Sequence, residues 1–233
     1  MRIRLTPVNR VADNLLRVRE RIAAAAARAG RRADSIRLVA ATKGVDVERI
    51  RLAVAAGVTE IGENYVQEAA AKFPALAEFA LTRHLIGHLQ RNKVGRAVEL
   101  FDMVQSVDSE PLARALGRRA VAIGRVIDVL IEVNVSREPA KFGVAPAECL
   151  ALAERIAAVP GLRLCGLMGI GPLGADAPTI RACFRELARL FHRLPAPYRQ
   201  TLSMGMTGDF EIAIEEGATM VRVGTALFGP RGV

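Results

Sequence analysis

Aromatic side chains are scarce in this sequence of 233 residues: they make up 4% of it, and tryptophan is absent. Because 51% of the residues are nevertheless hydrophobic, a large core is available and must be built mainly from Val, Ile, Leu and Ala. No apolar run approaches the roughly 18 residues of a membrane-spanning helix, so no membrane contact is predicted. The apolar stretch IAAAAA (22–27) is short, lies between arginines and does not resemble a secretory signal.

Cysteine and histidine are also rare. Cys149, Cys165 and Cys183 form no CxxC pair and leave an odd thiol, which is typical of free, buried thiols in a cytoplasmic protein. His84 and His88 have the spacing of a metal-binding pair on a helix, but they fall in a strand and the turn after it, and no HExxH motif accompanies them. The sequence therefore predicts a cytoplasmic protein without a metal site.

Positive charge exceeds negative charge, with 33 Lys and Arg residues against 24 Asp and Glu and a net charge of +9. An excess of this size raises the question of a nucleic-acid partner. The arginines are dispersed along the chain, however, and no aromatic residues interleave with a basic cluster to stack on bases. We therefore expect no nucleic acid to bind; the alternative predicts an affinity that falls steeply with salt.

After a predicted N-terminal helix, the chain alternates between apolar runs and helical segments. The helix has a cap at Thr6, a first-turn proline at Pro7 and an end at Gly30. The apolar runs are continuous rather than alternating, which is typical of parallel strands covered by helices. Strands are predicted at 36–41, 59–63, 83–87, 102–107, 126–135, 162–170, 201–205 and 219–224, with helices at about 47–57, 65–72, 91–98, 109–122, 146–158, 176–193 and 208–216.

Eight strand–helix units in a chain of this length predict a (β/α)8 TIM barrel with an extra N-terminal helix. A doubly wound open sheet is the alternative, which is weakened because no GxGxxG motif follows any strand. No linker rich in Ser, Gly or Pro and no low-complexity tract divides the chain. Residues 1–233 are therefore expected to form a single domain.

The ligands of such barrels bind at the C-terminal ends of the strands, and one of these ends carries a lysine. Lys43 closes the apolar run LVAATKG (38–44) in a chain that has few lysines. A lysine at the barrel mouth loses hydration, which favours the neutral amine that can attack an aldehyde. An exposed lysine paired with Asp46 or Glu48 is the alternative interpretation.

The loops after the last two strands read LSMGMTGDF and VRVGTALFG, and loops at these positions of a barrel commonly hold phosphate. Ser203 offers a hydroxyl group, Gly205 and Gly224 let the backbone approach an anion, and Thr225 completes the predicted cradle. A helix beginning near Thr207 would add free N–H groups. Two ordinary turn glycines are the alternative.

An arginine precedes the second of these loops. Arg222 points to the same side of its strand as Gly224. A buried guanidinium needs an acceptor, which is either a carboxylate in a structural salt bridge or the ring nitrogen of a ligand. An aldehyde, a phosphate and a basic nitrogen are together the features of pyridoxal 5′-phosphate (PLP), which is the predicted cofactor.

Several stretches of the sequence resemble the YggS/PROSC family, the pyridoxal phosphate homeostasis proteins, whose fold is similar to the N-terminal barrel of alanine racemase. The resemblance runs from about Leu38 to Gly229 and therefore covers nearly the whole chain. It rests on LVAATKG, IGENYVQEAAAKF, HLIGHLQRNK, VNVSREPAKFGV, GLMGIG and LSMGMTGDFEIAIEEGATMVRVGTALFG. One departure is Val45, which stands where many relatives have a second lysine.

The resemblance implies the PLP-binding barrel known as fold-type III. In it, Lys43 would form a Schiff base with PLP, Arg222 would face the pyridine nitrogen, and Ser203 would bind the phosphate. The complete predicted set of cofactor-binding residues is Lys43, Asn64, Ser203, Gly205, Met206, Arg222, Gly224 and Thr225.

The expected function is to carry PLP, to limit its free aldehyde and to release it to apo forms of PLP-dependent enzymes, with the chain acting as a monomer. A PLP-dependent amino acid racemase is the alternative. Because Arg222 is a permanent cation that can only donate, the ring nitrogen would stay unprotonated and stabilise a carbanion weakly. Racemisation also needs a second acid–base group, and the tyrosines available are Tyr65 and Tyr198. Lys141, in REPAKFG, is a candidate second acceptor of PLP, with a solvated loop lysine as the alternative.

Overall fold

The computed structural model describes residues 7–230, and eight parallel strands in it close into a barrel in chain order. The first strand pairs with both the second and the last, which closes the sheet. This closure confirms the predicted (β/α)8 barrel and excludes the open sheet. The strands are β1 Arg37–Ala41, β2 Glu60–Glu63, β3 Thr82–Leu85, β4 Met103–Val107, β5 Ile127–Val133, β6 Leu162–Gly169, β7 Thr201–Ser203 and β8 Met220–Val223.

Helices follow the strands and cover the outside of the barrel. They are α1 Pro7–Arg28, α2 Val47–Ala55, α3 Val66–Lys72, α4 Val94–Leu100, α5 Glu110–Ala122, α6 Cys149–Ala157, α7 Ala177–Arg193, α8 Phe210–Glu215 and α9 Thr225–Phe228. The extra N-terminal helix is confirmed, although its predicted cap at Thr6 lies outside the described residues. The short helix α9 was not expected from the sequence, because its TALF stretch reads as part of a loop.

The extra helix α1 packs on the part of the barrel where the chain closes. Its apolar stripe of Val11, Leu15, Val18 and Ile22 is buried, as the helical spacing predicts. The helix contacts α2, α8 and α9. The Asn14 Nδ2 group donates a hydrogen bond of 2.8 Å to the carbonyl oxygen of Leu227 in α9. Helix α1 therefore supports the segment that follows β8.

The barrel interior is filled by side chains and is separate from the layer between sheet and helices. One cluster of buried apolar side chains forms the inside, and it consists of Val39, Met103, Leu130, Cys165, Met168 and Met220. The Gln105 Nε2 group of β4 lies 3.2 Å from Met220 Sδ of β8, so opposite strands meet across the axis. The flexible side chains of the methionines in this cluster therefore help to fill the barrel interior in a chain that has no tryptophan.

The three cysteines are free thiols. Burial raises the pKa of Cys149 to about 11 and also raises the pKa of Cys165, which leaves both thiols protonated and unreactive. Residues 7–230 contain no group of three metal-ligating side chains. In the same residues, no helix has the length and the hydrophobicity needed to cross a bilayer.

Candidate functional site

A cavity of about 390 Å³ opens at the C-terminal ends of the strands and collects most of the predicted site residues. Its walls come from the C-terminal ends of β1 and β8 and from the segments after β1, β2, β3, β6, β7 and β8, which are distant in sequence and meet at the mouth of the barrel. The predicted residues that line it are Lys43, Asn64, Met206, Arg222, Gly224 and Thr225. Ser203 and Gly205 are not among the lining residues.

Lys43 stands at the cavity because its neighbours fix the turn after β1. The buried Thr42 donates a hydrogen bond of 2.8 Å from Oγ1 to Glu63 Oε1. Gly44 then turns the chain with a φ of +68°, which a residue with a side chain rarely adopts. Asp46 caps α2 by accepting a hydrogen bond of 2.8 Å from the N–H of Arg49. Among the described residues, Lys43 forms an ion pair with neither Asp46 nor Glu48, the two partners of the alternative interpretation.

The Lys43 amine faces a tyrosine rather than a carboxylate. Its Nζ atom lies 3.3 Å from Tyr65 Oη and 4.9 Å from the centre of the Tyr65 ring. Among the described residues, no Asp or Glu oxygen lies within 4 Å of this amine. A lysine without a carboxylate partner at a cavity is suited to react with, or to bind, a ligand.

A second lysine, which the sequence did not single out, anchors the turn that carries Lys43. Lys72 Nζ donates to the Thr42 carbonyl oxygen at 2.7 Å, to Glu63 Oε1 at 2.9 Å and to Glu68 Oε1 at 2.6 Å. Burial raises the pKa of Glu63 and the Lys72 charge opposes this rise. Burial also acts to raise the pKa of Glu68, but hydrogen bonds from Lys72 and from Gly44 N–H hold it below its ordinary value. In the sequence, the spacing of Glu68 and Lys72, one helical turn apart, was the signal that could have indicated this ion pair.

The loops after β7 and β8 bring two hydroxyl groups together. Thr207 Oγ1 accepts a hydrogen bond of 3.2 Å from the N–H of Ala226 and lies 3.4 Å from Thr225 Oγ1. The loop packs closely on α8 here, since a Cβ atom on Gly205 would lie 2.6 Å from the Cβ of Ala213. Gly205 also has a φ of +93°. Thr207 was placed at the start of a helix by the sequence, but α8 begins at Phe210 and Thr207 lies in the loop.

Ser203, which is predicted to bind phosphate, is fully buried below the cavity at the end of β7. Its Oγ atom accepts a hydrogen bond of 2.6 Å from Arg222 Nη1 and donates one of 2.6 Å to Gln105 Oε1. Both partners are in the barrel interior, so the hydroxyl group is already engaged. The geometry connects Ser203 to the arginine rather than to the two-threonine loop.

These bonds belong to a longer series, which we call the axial hydrogen-bond chain. It consists of Arg222, Ser203, Gln105, His84 and Glu60. Gln105 Nε2 lies 3.1 Å from His84 Nδ1, and His84 Nε2 lies 3.0 Å from Glu60 Oε2. Because an arginine can only donate, Ser203 must donate to Gln105, and the His84 proton is then on Nε2. The chain thereby ties the arginine of the cavity to a carboxylate at the opposite end of the barrel.

Arg222 remains a cation in this environment. Burial lowers its pKa to about 10, while the charges of Glu132 and Asp209 act in the opposite direction. Its Nη2 group donates to the Gly169 carbonyl oxygen at 3.0 Å. No carboxylate of the described chain lies within 4 Å of the guanidinium group. The structural salt bridge that the sequence left open is therefore not formed, and the acceptors are a hydroxyl group and a carbonyl group.

Lys141, the candidate second acceptor, is engaged elsewhere. Its Nζ atom donates to Glu138 Oε1 at 2.7 Å and to the Gly171 carbonyl oxygen at 3.2 Å. It lies in the loop after β5, where Asn134 Nδ2 donates to the Glu138 and Lys141 carbonyl oxygens. Lys141 does not line the cavity that holds Lys43.

The lining residues have the chemistry that PLP requires. One amine without a carboxylate partner, one donor-only cation and a pair of hydroxyl groups next to glycines surround a single cavity. A Cβ atom on Gly205 would lie 2.6 Å from the Cβ of Ala213 and one on Gly224 would lie 3.3 Å from the Ala41 carbonyl oxygen, so the backbone of both loops runs close to neighbouring parts of the chain. The residues present therefore fit an aldehyde, a ring nitrogen and a phosphate in one ligand.

Known proteins resemble this chain over almost its full length. The family described as alanine racemase, N-terminal domain, matches residues 14–232. The pyridoxal phosphate homeostasis protein of Vibrio cholerae is 41% identical over 227 residues, which cover 95% of this chain and 96% of that protein.

Solved structures give the same result. A protein of Bifidobacterium adolescentis is 43% identical and has a TM-score of 0.90, with 97% of this chain and 98% of that chain covered. PipY of Synechococcus elongatus, in its structure with PLP bound, is 38% identical with a TM-score of 0.81, and the match covers 94% of this chain and 100% of that chain. The chain therefore belongs to the alanine racemase N-terminal domain family and, within it, to the pyridoxal phosphate homeostasis proteins.

Proposed function

We propose that this protein binds PLP in the cavity at the barrel mouth and carries it as part of PLP homeostasis. The observation that supports this most strongly is that Lys43, Arg222 and the pair Thr207–Thr225 surround one cavity of about 390 Å³. The PLP-bound structure of PipY supports it from a relative with the same fold. When bound, PLP supplies an aldehyde that condenses reversibly with a primary amine.

Each residue has a separate task in this proposal. Lys43 Nζ is the amine, held beside the Tyr65 hydroxyl group. Arg222 donates to the pyridine nitrogen, and Ser203 orients Arg222 from below. Thr207, Thr225 and the backbone of Gly205 and Gly224 bind the phosphate. Thr207 thus has the role that the sequence predicted for Ser203. Asn64 and Met206 enclose the ring.

The carrier function is favoured over racemisation by the charge of Arg222. With a pKa of about 10, this group stays a hydrogen-bond donor at neutral pH. A donor keeps the ring nitrogen unprotonated, which weakens the ring as an electron sink. The racemase alternative draws on Tyr65, whose hydroxyl group is a potential acid. Tyr65 approaches from the Lys43 side, however, and racemisation needs acid–base groups on two opposite faces.

The remaining expectations belong to the same proposal. We expect residues 1–233 to act as one PLP-binding domain and as a monomer. Apo forms of PLP-dependent enzymes would be the recipients of the cofactor. Lys141 would assist release only after its hydrogen bonds to Glu138 and Gly171 are broken, because both hold its amine away from the cavity.

Titration of the purified protein with PLP tests the proposal. The wild type should develop the absorption band of an imine, and Lys43→Ala should lose it. Lys141→Ala is the matched control and should retain the band. A wild type that binds no PLP, or a Lys43→Ala variant that keeps the band at full strength, would overturn the proposal. Exchange of an amino acid α-proton for solvent deuterium would instead support the racemase.

A further inference from the structure

The end of the axial hydrogen-bond chain that lies farthest from the barrel mouth is anchored by an ion pair. Arg37 in β1 donates from Nε and Nη2 to the two carboxylate oxygens of Glu60 in β2, at 2.9 and 2.8 Å. Burial acts to raise the pKa of Glu60, but hydrogen bonds from His84 and Arg37 hold it below its ordinary value. Glu60 is therefore ionised and can only accept. His84, whose Nε2 atom lies 3.0 Å from Glu60 Oε2, must donate from that nitrogen.

The proton on His84 Nε2 fixes the direction of every hydrogen bond that follows. With its proton there, the neutral ring of the fully buried His84 offers an acceptor at Nδ1, to which Gln105 Nε2 donates over 3.1 Å. The same Nε2 group lies 3.2 Å from Met220 Sδ, a weak acceptor, which supports this orientation of the amide. The Gln105 amide oxygen then accepts from the Ser203 hydroxyl group at 2.6 Å. Ser203 Oγ in turn accepts from Arg222 Nη1 at 2.6 Å.

The opposite direction would leave a buried proton without an acceptor. With its proton on Nδ1, His84 would require Gln105 to turn its amide oxygen towards the ring and its amide nitrogen towards Ser203. The Ser203 oxygen would then receive N–H groups from both Gln105 and Arg222. Its own proton would have no acceptor, because in residues 7–230 its side chain has no third hydrogen-bond partner. An unsatisfied buried hydroxyl group is unfavourable, and its proton would weaken the hydrogen bond that holds Arg222.

We propose that Glu60 and His84 are positioning residues for Arg222. They fix the direction of the axial hydrogen-bond chain and thereby hold the Arg222 guanidinium group where it can donate to the ring nitrogen of PLP. Neither residue lines the cavity at the barrel mouth, so both act through Gln105 and Ser203. This inference rests on the function proposed above, because it concerns a contact with PLP.

Titration of three variants of the full-length protein with PLP tests this role. Glu60→Gln introduces an amide that can also donate, so it no longer fixes the direction of the chain. It should weaken PLP binding about threefold to tenfold, a partial loss, because Arg222 keeps its hydrogen bond to the Gly169 carbonyl oxygen. Ser203→Ala removes the last link of the chain and should weaken binding at least as much. The double variant Glu60→Gln/Ser203→Ala should bind PLP as Ser203→Ala does, because Glu60 acts through Ser203.

A second carboxylate near the N-terminal ends of the strands provides the matched control. Asp128 is the second residue of β5 and accepts hydrogen bonds of 2.6 and 2.7 Å from Arg163, outside the axial hydrogen-bond chain. Asp128→Asn removes the same charge and should change PLP affinity by less than about twofold. A loss as large as that of Glu60→Gln, or additive effects in the double variant, would overturn the proposal.

Nitrogen-15 NMR tests the direction of the chain without any substitution in it. The sequence has three histidines, so the double variant His88→Gln/His192→Gln leaves His84 as the single imidazole. Its spectrum should show a protonated Nε2 and an unprotonated Nδ1. A proton on Nδ1 would overturn the proposal, and this measurement remains decisive if Glu60→Gln does not fold.

Binding of PLP by the wild type separates this inference from the proposed function. A wild type that binds no PLP contradicts the proposed function, whereas the NMR spectrum still reports the direction of the chain. A wild type that binds PLP with the same affinity as Glu60→Gln contradicts only the positioning role.

Discussion

The axial hydrogen-bond chain makes a sharp prediction for Gln105. This residue lies in β4 and is fully buried. Its side chain accepts a hydrogen bond from Ser203 at 2.6 Å, and its Nε2 group lies 3.1 Å from His84 Nδ1 and 3.2 Å from Met220 Sδ. Gln105→Leu replaces it with a side chain of similar size that neither donates nor accepts. The substitution therefore tests the hydrogen bonds rather than the volume.

The expected loss of stability follows from the groups that remain. In Gln105→Leu the Ser203 hydroxyl proton and the His84 Nδ1 acceptor lose their partner inside the barrel. Each buried unsatisfied group costs about 1–3 kcal/mol, and the burial of an added methyl group returns roughly 0.8 kcal/mol. We therefore expect the free energy of unfolding to fall by about 1–5 kcal/mol, a large share of the roughly 5–15 kcal/mol of a typical protein.

Urea denaturation followed by circular dichroism measures this change. The midpoint should fall while the slope with denaturant stays the same, because the surface exposed on unfolding is nearly unchanged. Gln200→Leu is the matched control, because Gln200 is exposed and its side chain donates a hydrogen bond to the nearby Pro197 carbonyl oxygen. Its effect should stay within about 0.5 kcal/mol. A Gln105→Leu variant as stable as this control would refute the axial chain.

Three further substitutions test other parts of the account. Lys72→Met should destabilise the fold by about 3–5 kcal/mol in a denaturation experiment, because it leaves the fully buried Glu63 without its cation; restored stability at acidic pH would identify this cause. The pKa of Glu132 is raised to about 7 from 4.5. Protonation of this carboxyl group therefore adds to the free energy of unfolding at low pH, and the addition is lost as the pH rises through about 7. Relative to Glu132→Gln, the wild type should lose roughly 3 kcal/mol of stability between about pH 4 and pH 8, and parallel pH profiles would contradict the assignment. Gly205→Ala should weaken PLP binding and stability together, because the new Cβ would lie 2.6 Å from that of Ala213 at a φ of +93°; an Ala variant with wild-type affinity and melting temperature would show that the backbone there is free.

The barrel was predictable because each strand is a continuous apolar run bounded by polar residues. The observed strands begin and end within two residues of the predicted ones. The C-terminal ends of the strands then had to lie close together, because all parallel strands of a closed barrel end on the same side of it. This is why Lys43, Arg222 and Thr225 could be placed at one cavity from the sequence alone.

The positions of Ser203 and Thr207 relative to the cavity could not be read from the sequence. The apolar pattern extends β7 to residue 205, but the strand ends at Ser203 and α8 begins only at Phe210. As the last residue of the strand, Ser203 points into the barrel, while the loop carries Thr207 to the mouth. A shift of two residues at each of these two boundaries decides which of the two hydroxyl groups lines the cavity.

Polar residues inside apolar runs were the neglected signal. Gln105 interrupts MVQSV, and Glu132 interrupts VLIEVNV. A single polar residue in a buried strand needs a partner, but the sequence does not show which strand supplies it. For Gln105 the partners come from β3, β7 and β8, and for the Oε2 atom of Glu132 no residue of the described chain supplies one.

The proposed PLP binding depends on the Lys43 amine, and the modification of this amine can be mapped directly. The protein is incubated with PLP, treated with borohydride to make the linkage permanent, digested and analysed by mass spectrometry. We predict that the added mass lies on Lys43, with Lys72 unmodified because its amine already donates to three oxygen atoms. A label found mainly on Lys72, Lys93 or Lys141, or on no lysine, would contradict it.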